Sequence, residues 1–101
     1  MYQLEAKVEA QYVCYVAERG CLSIKCSVPG RRNYPDQQTL CGNGYSFFIE
    51  FKREGEKPRR AQLARHQKLR DMGYNVYVCD NLDEAIAIFE DELLFRESIR
   101  T

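Results

Sequence analysis

The segment from Tyr34 to Lys52, YPDQQTLCGNGYSFFIEFK, restricts the fold more than any other part of the chain. Gly42-Asn43-Gly44 is a turn sequence with β-prone runs on either side, so residues 36–41 and 45–52 are expected to form a hairpin. Side chains alternate along a strand. Ser46, Phe48, Glu50 and Lys52 therefore share one face, and Tyr45, Phe47, Ile49 and Phe51 share the other. Register decides what stands opposite Glu50. With three loop residues, position 41 pairs with 45 and position 36 with 50, placing Asp36 across from Glu50 on one face; a two-residue loop would pair 36 with 49 and turn Asp36 away.

The remaining elements follow from periodicity and punctuation. Val8, Tyr12 and Val16 recur every four residues with Gly20 just beyond, which predicts a helix over 4–18 whose apolar stripe also carries Glu5 and Glu9. Residues 21–26 (CLSIKC) read as a short strand, followed by a loop containing Pro29 and Pro35. Pro58 is expected to open a helix that runs to about Met72 and stops at Gly73. YNVYVC is a further strand, and residues 80–94 a further helix capped by Asp80 or Asn81, with 95–101 as a frayed tail. The order α-β-β-β-α-β-α implies an α/β fold with a central mixed sheet flanked by helices. A chain of 101 residues is one small domain, 1–101, with its core at about 4–94.

Composition narrows the class further. The 45% hydrophobic content, with seven Tyr and five Phe, excludes disorder. No run approaches the length of a membrane span and MYQLEAKVEAQ lacks a signal core, so no membrane association and a cytoplasmic setting, bacterial or phage-infected, are expected. Five cysteines without CxxC pairs read as reduced, mostly buried thiols rather than a zinc site. The zero formal charge conceals an asymmetry: from Lys52 to Arg70 eight Lys and Arg stand against two Glu, and from Asp71 to Thr101 eight Asp and Glu stand against two Arg. Such a basic middle can bind a polyanion locally, or can be an ordinary solvated face.

Two facing carboxylates repel unless something positive lies between them. A hard divalent cation answers that requirement: Asp36, Glu50, the Phe51 carbonyl and one glutamate of the first helix supply oxygen ligands suited to magnesium or manganese. Lys52, on the face of Glu50, can then orient a nucleophile or offset charge on a phosphate. In the helix after Pro58, Gln62, His66 and Leu69 fall within about 60° of one another and face inward. Gln62 is read as an active-site residue and His66 as its hydrogen-bonded neighbour, because hard cations prefer oxygen. Lys25, Arg31, Arg32, Lys57, Arg59 and Arg60 flank these groups in sequence and are the candidate phosphate contacts.

From Glu5 to Leu93 the chain resembles the VRR-NUC (virus-type replication-repair nuclease) family, a branch of the PD-(D/E)XK nucleases with a restriction-endonuclease-like fold. The matching pieces are LEAKVE, ERGCLSIKCSVPGRRNYPD, FFIEFK and EKPRRAQLARHQKLRDMGYNVYV, in that order. The resemblance implies a metal-dependent phosphodiesterase acting on DNA, with Asp36, Glu50 and Lys52 catalytic, Gln62 supporting them and a first-helix acid completing the metal site. Glu5 matches the family spacing better than Glu9. Similar single-domain members, often from phages, are homodimers that cleave four-way DNA junctions. A non-catalytic DNA-binding or assembly subunit and a monomeric flap nuclease or exonuclease are the competing readings. Where family members carry glycine before the PD pair and apolar residues after it, this chain has Asn33-Tyr34 and Gln37-Gln38-Thr39, which predicts a less buried second strand.

Overall fold

In a computed structural model, which describes residues 5–27, 29–30 and 32–100 with side chains to Arg96, the hairpin takes the register of a three-residue connection. Gln37 pairs with Ile49 and Leu40 with Ser46. The elements are α1 (Glu5–Glu18), β1 (Leu22–Lys25), β2 (Gln37–Leu40), a 3-10 turn (Gly42–Gly44), β3 (Ser46–Phe51), α2 (Arg60–Asp71), β4 (Val76–Cys79) and α3 (Leu82–Arg100). Asn43 and Gly44 both take positive φ, at 65° and 74°, and Cys41 N–H closes the turn on Tyr45 O at 2.8 Å. The four strands lie in the order β1-β2-β3-β4, antiparallel except for the parallel β3–β4 pair.

Alternation along β3 divides the molecule into two layers of packing. Phe47, Ile49 and Phe51 are fully buried against Val8, Tyr12 and Val16 of α1 and Ala85 and Phe89 of α3. Each such large side chain contributes about 1.5–3 kcal/mol, so this layer holds the fold together. On the opposite face Phe48 packs with Leu69 of α2 and Val76 of β4, a smaller cluster that leaves space beside it for polar groups. α1 forms because its apolar residues repeat at helical spacing, and it ends where Gly20 adopts φ 82° and Cys21 N–H bonds back to Val16 O.

Three features depart from the sequence reading. β2 is buried despite its polar residues: Gln37 and Thr39 are 4% and 0% exposed. Their polar atoms have partners, since Thr39 Oγ1 bonds Tyr12 Oη at 2.6 Å and Gln37 Oε1 accepts from Ser23 Oγ at 2.8 Å. Pro58 does not open α2. Arg59 is the cap, because Gln62 at the third helical position accepts the Arg59 N–H at 2.9 Å. α3 does not stop near residue 94 but continues to Arg100. Arg96 stacks 4.1 Å above the Tyr45 ring and donates to Gly42 O at 2.7 Å, tying this extra turn to the hairpin. At the start of α3, Asn81 rather than Asp80 is the cap, its Oδ1 accepting Glu84 N–H at 2.8 Å.

Candidate active site

With the odd positions of β3 committed to the large core, Glu50 and Lys52 emerge beneath α2, where both are buried, at 2% and 8% exposure. Buried charges persist only when paired and hydrogen-bonded. Lys52 Nζ lies 3.7 Å from Glu50 Oε2 and donates to Gln62 Oε1 at 2.9 Å. Gln62 Nε2 in turn donates to Glu50 Oε2 at 3.2 Å, and His66 Nε2 lies 3.4 Å from Glu50 Oε1. The same Gln62 oxygen that holds Lys52 also caps α2. The start of the helix and the position of the lysine are thus set by one atom.

Asp36 stands one register step beyond the Gln37–Ile49 pair and so opposite Glu50. Because the 41–45 pair is hydrogen-bonded, alternation makes 36–50 a non-hydrogen-bonded pair, the kind in which side chains approach most closely. Pro35 is buried and cannot donate to the ladder. Phe51 N–H, facing past the end of β2, is met instead by Asp36 Oδ2 at 2.8 Å. The Phe51 carbonyl faces the same edge. Burial pushes the Asp36 carboxyl up from 3.8 to about 7, with Glu50, Glu9 and Glu5 adding repulsion and the Phe51 N–H opposing it.

Asp36 also lines an open cleft of about 330 Å³ together with Glu5, Glu9, Lys25 and Arg53. Glu9 is the more engaged of the two α1 acids: Gln37 Nε2 donates to it, and Lys25 Nζ lies 3.4 Å away. Of the candidate phosphate contacts, Lys25 reaches the cleft, whereas Arg32, Lys57, Arg59 and Arg60 are exposed without lining it, and Arg31 lies outside the described residues. Arg53 was not singled out from the sequence. Its signal was its place directly after Glu50-Phe51-Lys52, where the chain leaves the sheet and a basic side chain can turn back over the strand end.

The donor set fits a hard divalent cation in its chemistry. Carboxylate oxygens are the ligands such ions prefer, and the raised Asp36 carboxyl marks a place where negative charge gathers without enough compensation. The geometry is not that of a closed cage. Among the described residues no three His, Cys, Asp or Glu side chains converge on one point, and Glu50 is turned toward Gln62, His66 and Lys52. Cysteines take no part in the cleft. Burial raises the thiols of Cys79 to about 12 and Cys26 to about 11, and all five cysteines are free.

A mixed sheet with helices on both faces, carrying an acid, a Glu-x-Lys pair and a helical glutamine at one strand end, defines a class of α/β domain built for charge-dense chemistry. No family model matches the chain. A phage protein described as "Putative nuclease p44", from Acyrthosiphon pisum secondary endosymbiont phage 1, is 38% identical over 79 residues, which cover 78% of this chain and 85% of that protein. A solved structure described as a VRR_NUC domain superposes with a TM-score of 0.78 at 30% identity, covering 85% of this chain and 94% of the other. The chain belongs to the VRR-NUC family. Among the described residues no helix is long and apolar enough to cross a membrane.

Proposed function

We propose that the protein is a metal-dependent, structure-selective DNA endonuclease that hydrolyses phosphodiester bonds and resolves four-way (Holliday) junctions as a homodimer. The observation that carries the nuclease reading is the buried Glu50–Lys52–Gln62 cluster set beside an Asp36 carboxyl raised to about 7. A fold gains little from such an arrangement, whereas phosphate chemistry needs it. The phage relative's description as a nuclease points the same way. Asp36, Glu50, the Phe51 carbonyl and Glu5, with Glu9 as the alternative, would hold magnesium or manganese. When bound, the cation supplies Lewis acidity toward a phosphoryl oxygen and lowers the pKa of water. Lys52, held by Gln62 Oε1, presents its remaining donors to a phosphate oxygen or to the attacking water. Lys25 and Arg53 at the cleft, and Arg31, Arg32, Lys57, Arg59 and Arg60 around it, contact the DNA backbone.

The junction and the dimer rest on likeness to single-domain family members and on two physical supports. Leu22, Ile24 and Leu94 are exposed, apolar surface that a second copy would cover. A two-fold dimer would also match the paired strands of a junction. The test is cleavage of labelled four-way, flap and linear duplex DNA with magnesium or manganese. Preferential junction cleavage is expected, and Asp36→Asn, Glu50→Gln and Lys52→Ala should each abolish it; near wild-type rates in any two would overturn the assignment. Light scattering should give twice 11.9 kDa. A monomer mass together with full junction cleavage would refute the dimer.

A further inference from the structure

α2 carries a second buried polar side chain that the reaction set out above leaves unused. His66, the chain's single histidine, is fully buried one helical turn after Gln62. The two residues address the two oxygens of one carboxylate: Gln62 Nε2 reaches Glu50 Oε2 at 3.2 Å and His66 Nε2 lies 3.4 Å from Glu50 Oε1. The other ring nitrogen, Nδ1, is the one buried side-chain N or O among the described residues without a hydrogen-bond partner. An unpaired buried polar atom is penalised, and an apolar side chain of similar shape would avoid the penalty. Leu69, on the same inward face, shows that this face of α2 otherwise accepts apolar groups. Folding alone therefore gives no reason for a histidine at 66.

We propose that His66 is a positioning residue for Glu50, donating through Nε2–H so that the Glu50 carboxylate is held at both oxygens from one helix. The terminal torsion of a glutamate is broad and nearly two-fold, so a single hydrogen bond would leave the group free to swing. Two donors spaced by four residues on a rigid helix fix its plane. Each oxygen retains a second lone pair, and these remain available on the side of Asp36 and the cleft. The bare Nδ1 follows from the tautomer that this contact requires. The inference rests on the nuclease reading for its catalytic consequence but not for the contact itself.

Two measurements test it. Because there is one histidine, the ring-nitrogen NMR spectrum of uniformly labelled protein reports this site alone. A proton on Nε2 is expected, and a bare Nε2 with the proton on Nδ1 would overturn the proposal. In cleavage assays, His66→Leu and His66→Asn should lower kcat about 10- to 100-fold, the range for groups that orient a ligand. His66→Gln, whose amide nitrogen extends to the place of Nε2, should restore most of that loss. The melting temperature of His66→Leu should equal or exceed that of the wild type. Wild-type rates in His66→Leu, no rescue by His66→Gln, or activity that simply follows melting temperature across the three would refute the role. A wild type inactive on every DNA would refute the nuclease reading and the catalytic role with it, while the nitrogen spectrum would still decide whether His66 holds Glu50.

Discussion

Asp36→Asn should make the metal-free protein more stable at neutral pH while removing its activity. The carboxyl is raised from 3.8 to about 7, first by burial and then by Glu50, Glu9 and Glu5. A raised carboxyl favours the protonated folded state, so its contribution to stability is fully present below about pH 4 and is lost as pH rises through about 7. At about 1.4 kcal/mol per pH unit, the displacement corresponds to about 4 kcal/mol at pH 8. Asp36 lines an open cleft, so solvent screening reduces the figure to about 1–2 kcal/mol. Asparagine keeps an oxygen for Phe51 N–H and carries no charge to repel its neighbours. Thermal melts in chelator from pH 5 to 8 should show Asp36→Asn drawing ahead of the wild type as pH rises. The gain at pH 8 should be roughly 4–16 °C, at about 4–8 °C per kcal/mol for a domain of this size. Added magnesium or manganese should raise the wild-type melting temperature and leave the variant unmoved. A pH-independent difference between the two proteins, or an equal metal shift in both, would refute the electrostatic reasoning.

Two further outcomes follow from the hydrogen bonds. Gln62→Ala removes the acceptor of the Arg59 N–H and the partner of both Lys52 and Glu50; it should cost about 2 kcal/mol in urea denaturation and lower cleavage by about 10- to 100-fold. Glu92→Ala strands the hydroxyls of Tyr45 and Tyr77 and the Asn75 amide, 2.8 Å away. It should shift the urea midpoint by about 3 kcal/mol at an unchanged m-value, leaving the metal-induced rise in melting temperature intact.

What the sequence made legible was whatever rests on short-range rules. The register that sets Asp36 opposite Glu50 follows from the length of one turn, and the inward placement of Gln62, His66 and Leu69 from helical spacing. The parts that were not legible depend on partners distant in the chain. Nothing local says that Thr39 will find Tyr12, or that Gln37 will find both Ser23 and Glu9, and without those bonds β2 reads as a strand too polar to bury. The same holds for the length of α3. Residues 95–100 have no helix stop, but their reason to stay helical is the grip of Arg96 on Tyr45 and Gly42. Arg53 escaped notice because a residue just past a strand end has no periodicity to orient it.

The three buried or half-buried carboxylates separate structural acids from chemical ones by how completely they are solvated. Glu92 receives three donors, from Tyr45, Tyr77 and Asn75, and its only demand on the surroundings is met. Glu50 is approached by Gln62, His66 and Lys52 yet keeps lone pairs free toward Asp36. Asp36 is furthest from satisfied: its side chain receives the Phe51 N–H while three other acids act on it. Burial raises Glu92 and Asp36 alike, so the direction of a pKa does not distinguish them. The supply of donors does. A carboxylate that the fold leaves short of positive charge, beside a lysine fixed in place and an open cleft, is a position where an incoming cation and phosphate complete what the protein omits. Supplying the missing donor by mutation should therefore gain stability where function is lost, the reverse of what the same change would do at Glu92.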